Sequence, residues 1–363
     1  MAPVIRLFKR NSRFFISRVC VTAQHREMLD QVLEIFEIEP DWDLQIMKQD
    51  QDLFDISASV LLKMKNVLSE FIPDIVLVHG DTNTTVASAL AAFYMKIPVG
   101  HIEAGLRTHN IYSPWPEELN RQIVSRISTF HFVPTENSRN NLLNEGIPSD
   151  KIVITGNTII DALNIALRMI KILNLEIPGF PEKEIKKKDK IILITGHRRE
   201  NFGDGFKSIC NAINKLADKF PEVHLVYPVH LNPNIQNQVK KYLNIYGKKN
   251  IHLIKPLDYL SFITLMKRAN IILTDSGGIQ EEAPSLGKPV LLMREITERP
   301  EGLASGTVKI VGADEKLIID EVTELLCNYS AYHKRSVKAN PYGDGKASLR
   351  ILEFFKNYFQ VKV

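Results

Sequence analysis

Cysteines are scarce in this chain, and long apolar runs are missing. The 363 residues include three cysteines, Cys20, Cys210 and Cys327, which lie far apart and form no CxxC pair. This spacing argues against a disulfide framework or a structural zinc site, and it predicts a reducing compartment such as the cytoplasm. No apolar run reaches about 18 residues, and the first residues lack the apolar core of a signal peptide. We therefore expect neither a transmembrane helix nor secretion.

Common cofactor motifs and a large charge imbalance are missing as well. No GxGxxG follows the early apolar runs, so a nicotinamide site is not predicted, and no GxxxxGK[ST] occurs, which excludes a P-loop enzyme. No metal-ligand spacing stands out, so we expect neither a metal nor another cofactor. The net charge of +4 is small, and a nucleic-acid partner is not required. Hydrophobic and charged contents of 44% and 24% are those of a soluble globular protein without membrane association.

Apolar strand patterns alternate with helical patterns along the whole chain. The first two strands are predicted at Ile16–Thr22 and Asp43–Met47. A segment with proline, glycine and a lysine run separates the two halves of the pattern. Strict alternation predicts an α/β fold with two doubly wound, parallel-sheet, Rossmann-like domains. The predicted parts are an N-terminal domain at 1–172, a linker at 173–190 and a C-terminal domain at 191–340. A final helix at 341–363 is expected to pack back on the N-terminal domain.

Three carboxylates follow predicted strands of the first domain or begin its next helix. Asp81 and Glu103 come after two apolar strands, and Glu117 opens a helix in which Arg121 lies four residues later, on the same face. The plain alternative is a helix-capping Asp81 and a surface Glu117–Arg121 pair. Because ligands of such sheets bind at the carboxyl ends of the strands, three carboxylates there favour an acid–base site.

The stretch Thr274–Glu282, Thr-Asp-Ser-Gly-Gly-Ile-Gln-Glu-Glu, joins a buried strand to a helix. Two glycines let the backbone approach a phosphate, and a helix N-terminus favours an anion. An ordinary turn with a capping serine is the alternative. Elsewhere in this domain, His197, Arg198 and Arg199 follow a strand and suit a diphosphate, and Arg299 would reach the same anion.

Six motifs, taken together and in order, resemble one enzyme family. They are Val78-His79-Gly80-Asp81-Thr82, His101-Ile102-Glu103-Ala104-Gly105-Leu106-Arg107, Pro116-Glu117-Glu118-Leu119-Asn120-Arg121, Thr155-Gly156-Asn157-Thr158, Gly196-His197-Arg198-Arg199-Glu200 and the Thr274–Glu282 stretch. This combination resembles the non-hydrolysing UDP-N-acetylglucosamine 2-epimerases from Met1 to about Leu352. The resemblance implies a glycosyltransferase-B fold with the active site in a central cleft. It also implies reversible conversion of UDP-N-acetylglucosamine to UDP-N-acetylmannosamine, for bacterial surface polysaccharides, by a homodimer without metal or NAD.

The resemblance also implies a mechanism and residue roles. UDP is eliminated across C1–C2 to give a 2-acetamidoglucal, and re-addition with protonation from the opposite face inverts C2. Asp81, Glu103 and Glu117 would supply the acid, base and charge-stabilising groups, without an assignment of which takes the proton. Arg121 would orient Glu117, and His197 would act at the diphosphate or as an acid for the leaving oxygen. The implied UDP-binding residues are Phe262, Ser276, Gly277, Gly278, Glu282 and Arg299.

Two further expectations follow from the resemblance. Bacterial members can carry a second, activating substrate site, and Gln24, Arg198, Arg199 and His230 fall where it is expected. The family also begins with an apolar strand and a Gly-Thr-Arg-Pro-Glu loop before the Met-Ala-Pro that starts this sequence. We expect that the natural protein extends upstream, because loss of a central strand would leave backbone groups of two neighbours unpaired.

Alternative functions stay open at this stage. A hydrolysing relative would release free N-acetylmannosamine and UDP, and a glycosyltransferase of the same fold would need an acceptor. A truncated nucleotide-sugar binding protein with little activity is another class, and it would bind UDP without exchanging the C2 hydrogen.

Overall fold

The computed structural model describes residues 1–23, 26–47, 51–173, 175–186, 188–196, 203–244, 247–336 and 340–360. The chain forms two compact units: an N-terminal unit of Met1–Ala162 together with the chain from Tyr342 onward, and a C-terminal unit of Leu163–Pro341. The division falls inside one helix, before the segment 173–190 that was predicted as the linker. No helix in the described part of the chain is both long and apolar enough to cross a membrane.

The N-terminal unit is built around a four-stranded parallel sheet. Its elements in chain order are α1 (Ala2–Arg10), β1 (Cys20–Val21), α2 (Arg26–Ile35), β2 (Trp42–Asp43), α3 (Leu53–Glu70), β3 (Val76–His79), α4 (Asn83–Tyr94), β4 (Val99–Ile102), α5 (Glu117–Ile127), β5 (Phe130–Val133), α6 (Glu136–Asn144), a 3₁₀ turn (Ser149–Lys151), β6 (Ile152–Ile154) and the start of α7 (Thr158–Leu173). The sheet order is β3-β4-β5-β6, and β1 pairs with β2 in a separate parallel sheet. The carboxyl ends of β3 and β4 are therefore neighbours.

The first two strands are shorter than the sequence pattern predicted. Only Cys20 and Val21 of the predicted range Ile16–Thr22, and only Asp43 of Asp43–Met47, are strand residues. Cys20 is opposite Trp42, one residue before the second predicted range, and Val21 is opposite Asp43. The Asp41 carboxylate accepts the Val19 N–H at 2.7 Å, so a side chain takes the donor that would otherwise extend the ladder. The apolar pattern of a sequence does not reveal where a side chain takes the place of a backbone hydrogen-bond partner.

The C-terminal unit contains a six-stranded parallel sheet. Its elements are β7 (Lys190–Thr195), α8 (Asp204–Lys219), β8 (Val223–Pro228), α9 (Pro233–Tyr242), β9 (Ile251–Ile254), α10 (Tyr259–Arg268), β10 (Ile271–Thr274), α11 (Gly277–Ser285), β11 (Val290–Leu292), α12 (Pro300–Ala304), β12 (Val308–Ile310), α13 (Glu315–Cys327) and α14 (Tyr329–Arg335). Read from one edge, the order is β9-β8-β7-β10-β11-β12. This is the Rossmann order, and its direction reverses between β7 and β10, where such sheets bind ligands. All four residues of β10 are buried, as the continuous apolar run predicts.

A last helix, α15 (Ala347–Gln360), returns to the N-terminal unit. Phe355 packs edge-on against Phe132, with ring centroids 5.4 Å apart, and against Phe8 at 6.2 Å. The Asp161 carboxylate accepts the N–H groups of Ala347 and Ser348 at 3.1 and 2.9 Å. These bonds satisfy donors at the helix start that have no partner within the helix. Aromatic packing and this carboxylate thus fix the returning helix on the sheet.

Candidate active site

Two of the predicted carboxylates lie side by side at one edge of the N-terminal sheet. Asp81 follows β3 and Glu103 follows β4, and the Gly80 N–H donates to the Ile102 carbonyl at 3.0 Å. A Cβ on Gly80 would stand 3.5 Å from Glu103 Oε1, so the glycine lies directly against this carboxylate. Glu103 has a φ of +64°, which is uncommon for a side-chain-bearing residue and recurs at functional sites. The sheet therefore brings these two carboxylates together.

Helix α5 holds Asp81 by its side chain and by its backbone. Arg121 donates to Asp81 Oδ2 from Nε at 3.0 Å and from Nη2 at 2.9 Å. Asn120 donates from Nδ2 to the Asp81 carbonyl at 2.8 Å. The Arg121 side chain is 3% exposed, whereas that of Asp81 is 23% exposed. A buried cation thus fixes one carboxylate oxygen of a partly exposed acid.

Glu118 is a functional neighbour that the sequence analysis missed. Its carboxylate is fully buried and accepts Arg121 Nη1 at 2.5 Å. It also accepts the N–H groups of Thr108 and His109 at 3.0 and 3.1 Å. The prediction paired Arg121 with Glu117, but the ion pairs that the structure shows join Arg121 to Asp81 and Glu118. Spacings of three and four residues are both compatible with a helix, and only burial decides between them.

Glu117 begins α5 and is partly exposed. It lies four residues before Arg121 and so on the face of the helix that meets Asp81. A carboxylate at the first turn is favoured by the helix dipole.

A second amide holds the other carboxylate. Asn157, in the turn after β6, donates from Nδ2 to Glu103 Oε2 at 2.8 Å and is 2% exposed. Asp81 and Glu103 therefore each have one oxygen fixed by a buried donor from another element.

Buried histidines next to these turns are neutral. Burial lowers the pKa of His101 to about 3 and that of His131 to about 4. His101 Nε2 lies 2.8 Å from the Gly80 carbonyl and donates to it, since a carbonyl oxygen is only an acceptor. His101 thus supports the Gly80 turn and is not a cationic acid near neutral pH.

In the C-terminal unit, the Ser-Gly-Gly stretch lies at the reversal of the sheet order. Ser276 occupies the N-cap position of α11 without a side-chain capping bond, and Gly277 and Gly278 begin the helix, directly after β10. Gly277 is tightly enclosed, because a Cβ there would be 2.8 Å from Arg299 Nη1. The N–H groups of a first helical turn have no partner within the helix, which makes this end suited to an anion.

Arg299 belongs to a buried network of two arginines and two glutamates. Its Nε donates to Glu281 Oε1 at 2.5 Å, its Nη1 pairs closely with Glu298, and Arg294 Nη1 pairs with Glu298 at 3.1 Å. All four side chains are at most 8% exposed. The sequence predicted a contact of Arg299 with the nucleotide, and the structure places the guanidinium against the Gly277 backbone.

Glu282 follows on α11 and is also buried. Tyr259 donates its hydroxyl to Glu282 Oε1 at 2.7 Å, which joins α10 to α11. Burial raises the pKa of Glu282 to about 7, although the tyrosine hydrogen bond opposes this shift. Phe262 is partly buried one turn after Tyr259, on the same helical face.

Of the remaining predicted site residues, the structure describes only His230. Gln24, His197, Arg198 and Arg199 lie outside the described residues. His230 is exposed after β8, and its Nδ1 accepts the Asn232 N–H at 3.0 Å.

Comparisons with known proteins identify the family. The family model described as UDP-N-acetylglucosamine 2-epimerase matches residues 8–356. A UDP-N-acetylglucosamine 2-epimerase from Yersinia pestis is 55% identical over 361 residues, which are 99% of this chain and 95% of the relative. One from Escherichia coli K12 is 53% identical over 361 residues, 98% of this chain and 95% of the relative. The crystal structure of the Neisseria meningitidis enzyme bound to UDP-GlcNAc has a TM-score of 0.94 at 53% identity, covering 98% of this chain and 96% of that one.

These similarities confirm the predicted fold class and the predicted resemblance. The α/β architecture with parallel, Rossmann-like sheets is that of the glycosyltransferase-B type. The family model and the relatives each cover nearly the whole chain. The chain belongs to the UDP-N-acetylglucosamine 2-epimerase family.

Proposed function

We propose that this chain interconverts UDP-N-acetylglucosamine and UDP-N-acetylmannosamine without releasing the sugar. The observation that carries the proposal is the pair Asp81 and Glu103, held at one sheet edge by Arg121 and Asn157, in a chain of this family. The hydrogen on C2 is not acidic enough for simple removal, so the reaction proceeds by elimination. One carboxylate removes the C2 proton, the C–H electron pair forms the C1–C2 double bond, and UDP leaves C1 with its bonding pair.

The reverse step completes the inversion. The UDP oxygen adds to C1 of the 2-acetamidoglucal, and an acid delivers a proton to the opposite face of C2. Asp81, Glu103 and Glu117 supply the base, the acid and the stabilising negative charge for a partly cationic sugar. Two carboxylates with one oxygen each fixed by a donor offer the positional control that proton transfer at both faces of C2 requires.

In this proposal the C-terminal unit holds UDP. The N–H groups of Gly277 and Gly278 and the Ser276 hydroxyl bind the diphosphate, as donors at a helix start do in other nucleotide sites, while the Ser276 N–H donates to Thr274 Oγ1 at 3.0 Å. Glu282 accepts ribose hydroxyls, and Phe262 and Arg299 lie at the nucleotide end. His197 acts at the diphosphate or protonates the leaving oxygen. Retention of UDP by these groups is what allows the sugar to be rebuilt.

Incubation with UDP-N-acetylglucosamine in D₂O tests this function directly. We expect UDP-N-acetylmannosamine with deuterium at C2, measured by NMR and mass spectrometry. Glu103→Gln keeps the shape of the side chain and removes its basicity, so exchange should fall by a factor of about 10² or more, with UDP affinity nearly unchanged. Unchanged exchange in that variant would remove Glu103 from the catalytic groups.

Other products would identify the alternative functions. Free N-acetylmannosamine with UDP as the sole product indicates a hydrolysing enzyme, and UDP binding without C2 exchange indicates a binding protein. Sugar transfer that depends on an added acceptor, without epimerisation, indicates a glycosyltransferase.

We also propose a cytoplasmic homodimer that supplies a precursor of surface polysaccharides. Three free cysteines support a reducing location. An apolar groove of about 620 Å³ on the N-terminal unit supports self-association, and its lining includes Phe54, Leu61, Leu90 and Trp115. The second, activating site around Gln24, Arg198, Arg199 and His230 stays a prediction.

A further inference from the structure

The Thr155-Gly156-Asn157-Thr158 turn carries out no chemical step in the proposed mechanism, but its Asn157 contacts a catalytic carboxylate. Asn157 Nδ2 donates to Glu103 Oε2 at 2.8 Å, and Asn157 is 2% exposed. Such a contact between a buried amide and a reacting carboxylate is a means of orientation, because the amide itself has no proton to transfer near neutral pH.

The direction of the Asn157 amide is determined by its other contacts. Its Oδ1 accepts the Ile159 N–H at 3.1 Å, so the oxygen faces the start of α7 and the NH₂ group must face Glu103. Its backbone N–H donates to the Tyr342 carbonyl at 2.7 Å. The amide is thus fixed by the helix on one side and by the returning chain on the other.

The neighbouring glycine allows this close contact with the returning chain. Gly156 has a φ of +83°, and a Cβ there would be 3.2 Å from both Gly343 Cα and the Tyr342 carbonyl oxygen. Tyr342 is fully buried. The turn that carries Asn157 therefore has little freedom to move relative to Glu103.

The two oxygens of Glu103 have different surroundings. Oε2 accepts from Asn157, whereas Oε1 lies on the side of Gly80, which has no side chain. We propose that Asn157 is a positioning residue that fixes Oε2 of Glu103 and leaves Oε1 as the oxygen that exchanges a proton with C2 of the sugar. In one direction of epimerisation Oε1 receives the C2 proton as UDP leaves, and another carboxylate then protonates the opposite face of C2 as UDP adds back. In the reverse direction the roles exchange, and Oε1 delivers the proton to its own face of C2. This assignment rests on the proposed function.

Two substitutions separate positioning from helix capping. Asn157→Ser keeps an oxygen that caps α7 but is too short to reach Glu103. Asn157→Asp keeps the cap and the shape, and it replaces the donor with a carboxylate oxygen beside Glu103. We expect kcat for C2 exchange to fall about tenfold to a hundredfold in Asn157→Ser and further in Asn157→Asp. KM for UDP-N-acetylglucosamine should stay within about threefold.

Thr155→Val is the matched control in the same turn. It removes a buried hydroxyl that donates to the Gly156 carbonyl at 2.8 Å, without contact with Glu103. We expect its kcat to stay close to that of the wild type, and thermal unfolding of all variants shows whether the fold is kept.

The outcomes distinguish this assignment from the function on which it rests. Wild-type kcat in both Asn157 variants, while Glu103→Gln is inactive, overturns the positioning role and leaves the epimerase function standing. A change confined to KM overturns it as well, because a positioning group acts on the chemical step. Absence of C2 exchange in the wild-type chain overturns the function, and the assignment with it. Lower kcat at constant KM, with normal Thr155→Val, supports the assignment.

Discussion

Glu282 is the residue whose protonation should control nucleotide binding near neutral pH. It is buried, its pKa is raised to about 7 by burial, and the Tyr259 hydroxyl opposes the shift. Ribose hydroxyls are donors, so the ionised carboxylate is the better acceptor. Because the pKa in the folded state exceeds the ordinary 4.5, the stability that the protonated form provides is full below about pH 4.5 and is lost as the pH rises through about 7.

We predict that UDP binds more tightly as the pH rises from 6 to 8. With a pKa of about 7, the ionised fraction of Glu282 rises about tenfold over this range, and the apparent affinity should rise by up to that factor. Calorimetric titration with UDP at several pH values measures the effect. Tyr259→Phe should move the midpoint to higher pH, because the lost hydroxyl stabilises the charged form.

Glu282→Gln is the control for the titration of UDP itself. This variant should bind with a shallower pH dependence, since only the phosphate groups of the ligand still titrate. An equal pH dependence in wild type and Glu282→Gln would show that Glu282 does not control binding.

For individual residues, the sequence could predict where the acidic side chains of the site lie but not which groups they contact. Asp81 and Glu103 follow from the ends of two apolar strands, because carboxyl ends of parallel strands share one edge. The partner of Arg121 could not be predicted, since Glu117 and Glu118 are both within reach along a helix. Asn157 is close to Glu103 only through folding, as 54 residues separate them along the chain.

Among the elements, α5 is organised around a buried ion pair at its first turn. Glu118 is completely buried and joins Arg121 to the backbone of Thr108 and His109. Loss of one charge from a buried, hydrogen-bonded pair leaves the other without full compensation. Helix α5 therefore depends on Glu118 to fix both the loop before it and the arginine that holds Asp81.

We predict that Glu118→Gln destabilises the fold by about 3 kcal/mol, as removal of one partner from a buried ion pair does. Urea unfolding followed by circular dichroism measures the change. Helix α6 offers a matched control, because Glu136 and Arg139 form an i, i+3 pair at its first turn with side chains 61% and 31% exposed. Glu136→Gln should change stability by less than about 1 kcal/mol. Equal losses in the two variants would contradict a special role for Glu118.

The sequence predicts some strands more accurately than others. The apolar run at β10 predicts a strand, and the structure buries all four of its residues. The pattern at β1 and β2 overstates their lengths, because the Asp41 carboxylate accepts the Val19 N–H before the ladder and the Asp43 carboxylate accepts the Gln45 N–H after it. Side-chain bonds to the backbone leave no periodic signal, and they account for this error.

For the whole chain, alternation of strands and helices predicts two Rossmann-like domains. The structure contains a parallel sheet in the core of each unit, and the six-stranded sheet of the C-terminal unit has the Rossmann order. Alternation does not give the order of strands within a sheet. In the C-terminal unit this order reverses between β7 and β10, which places the Ser-Gly-Gly stretch at a ligand-binding position. The sequence analysis expected a final helix against the N-terminal domain, but the contacts that hold α15 join residues far apart, such as Phe355 with Phe132 and Phe8. Local sequence patterns do not encode such contacts.

The apolar groove on the N-terminal unit leads to a prediction about assembly. Phe54 is 84% exposed and Trp115 is 60% exposed, and both line the groove of about 620 Å³. Exposed aromatic side chains beside an apolar groove are typical of protein interfaces. We predict a solution mass of twice the 41.3 kDa of one chain, measured by light scattering after gel filtration.

Phe54→Glu should convert this dimer to a monomer. The side chain is mostly exposed in the single chain, so the substitution leaves the fold intact while it places a charge in the apolar contact. Tyr329→Glu is the control, because Tyr329 is 81% exposed, belongs to the C-terminal unit and does not line the groove. We expect that variant to remain dimeric. A monomeric wild type would exclude self-association. An interface that buries these aromatic rings loses its apolar core when one ring becomes a carboxylate, so a dimer that survives Phe54→Glu would place the subunit contact elsewhere.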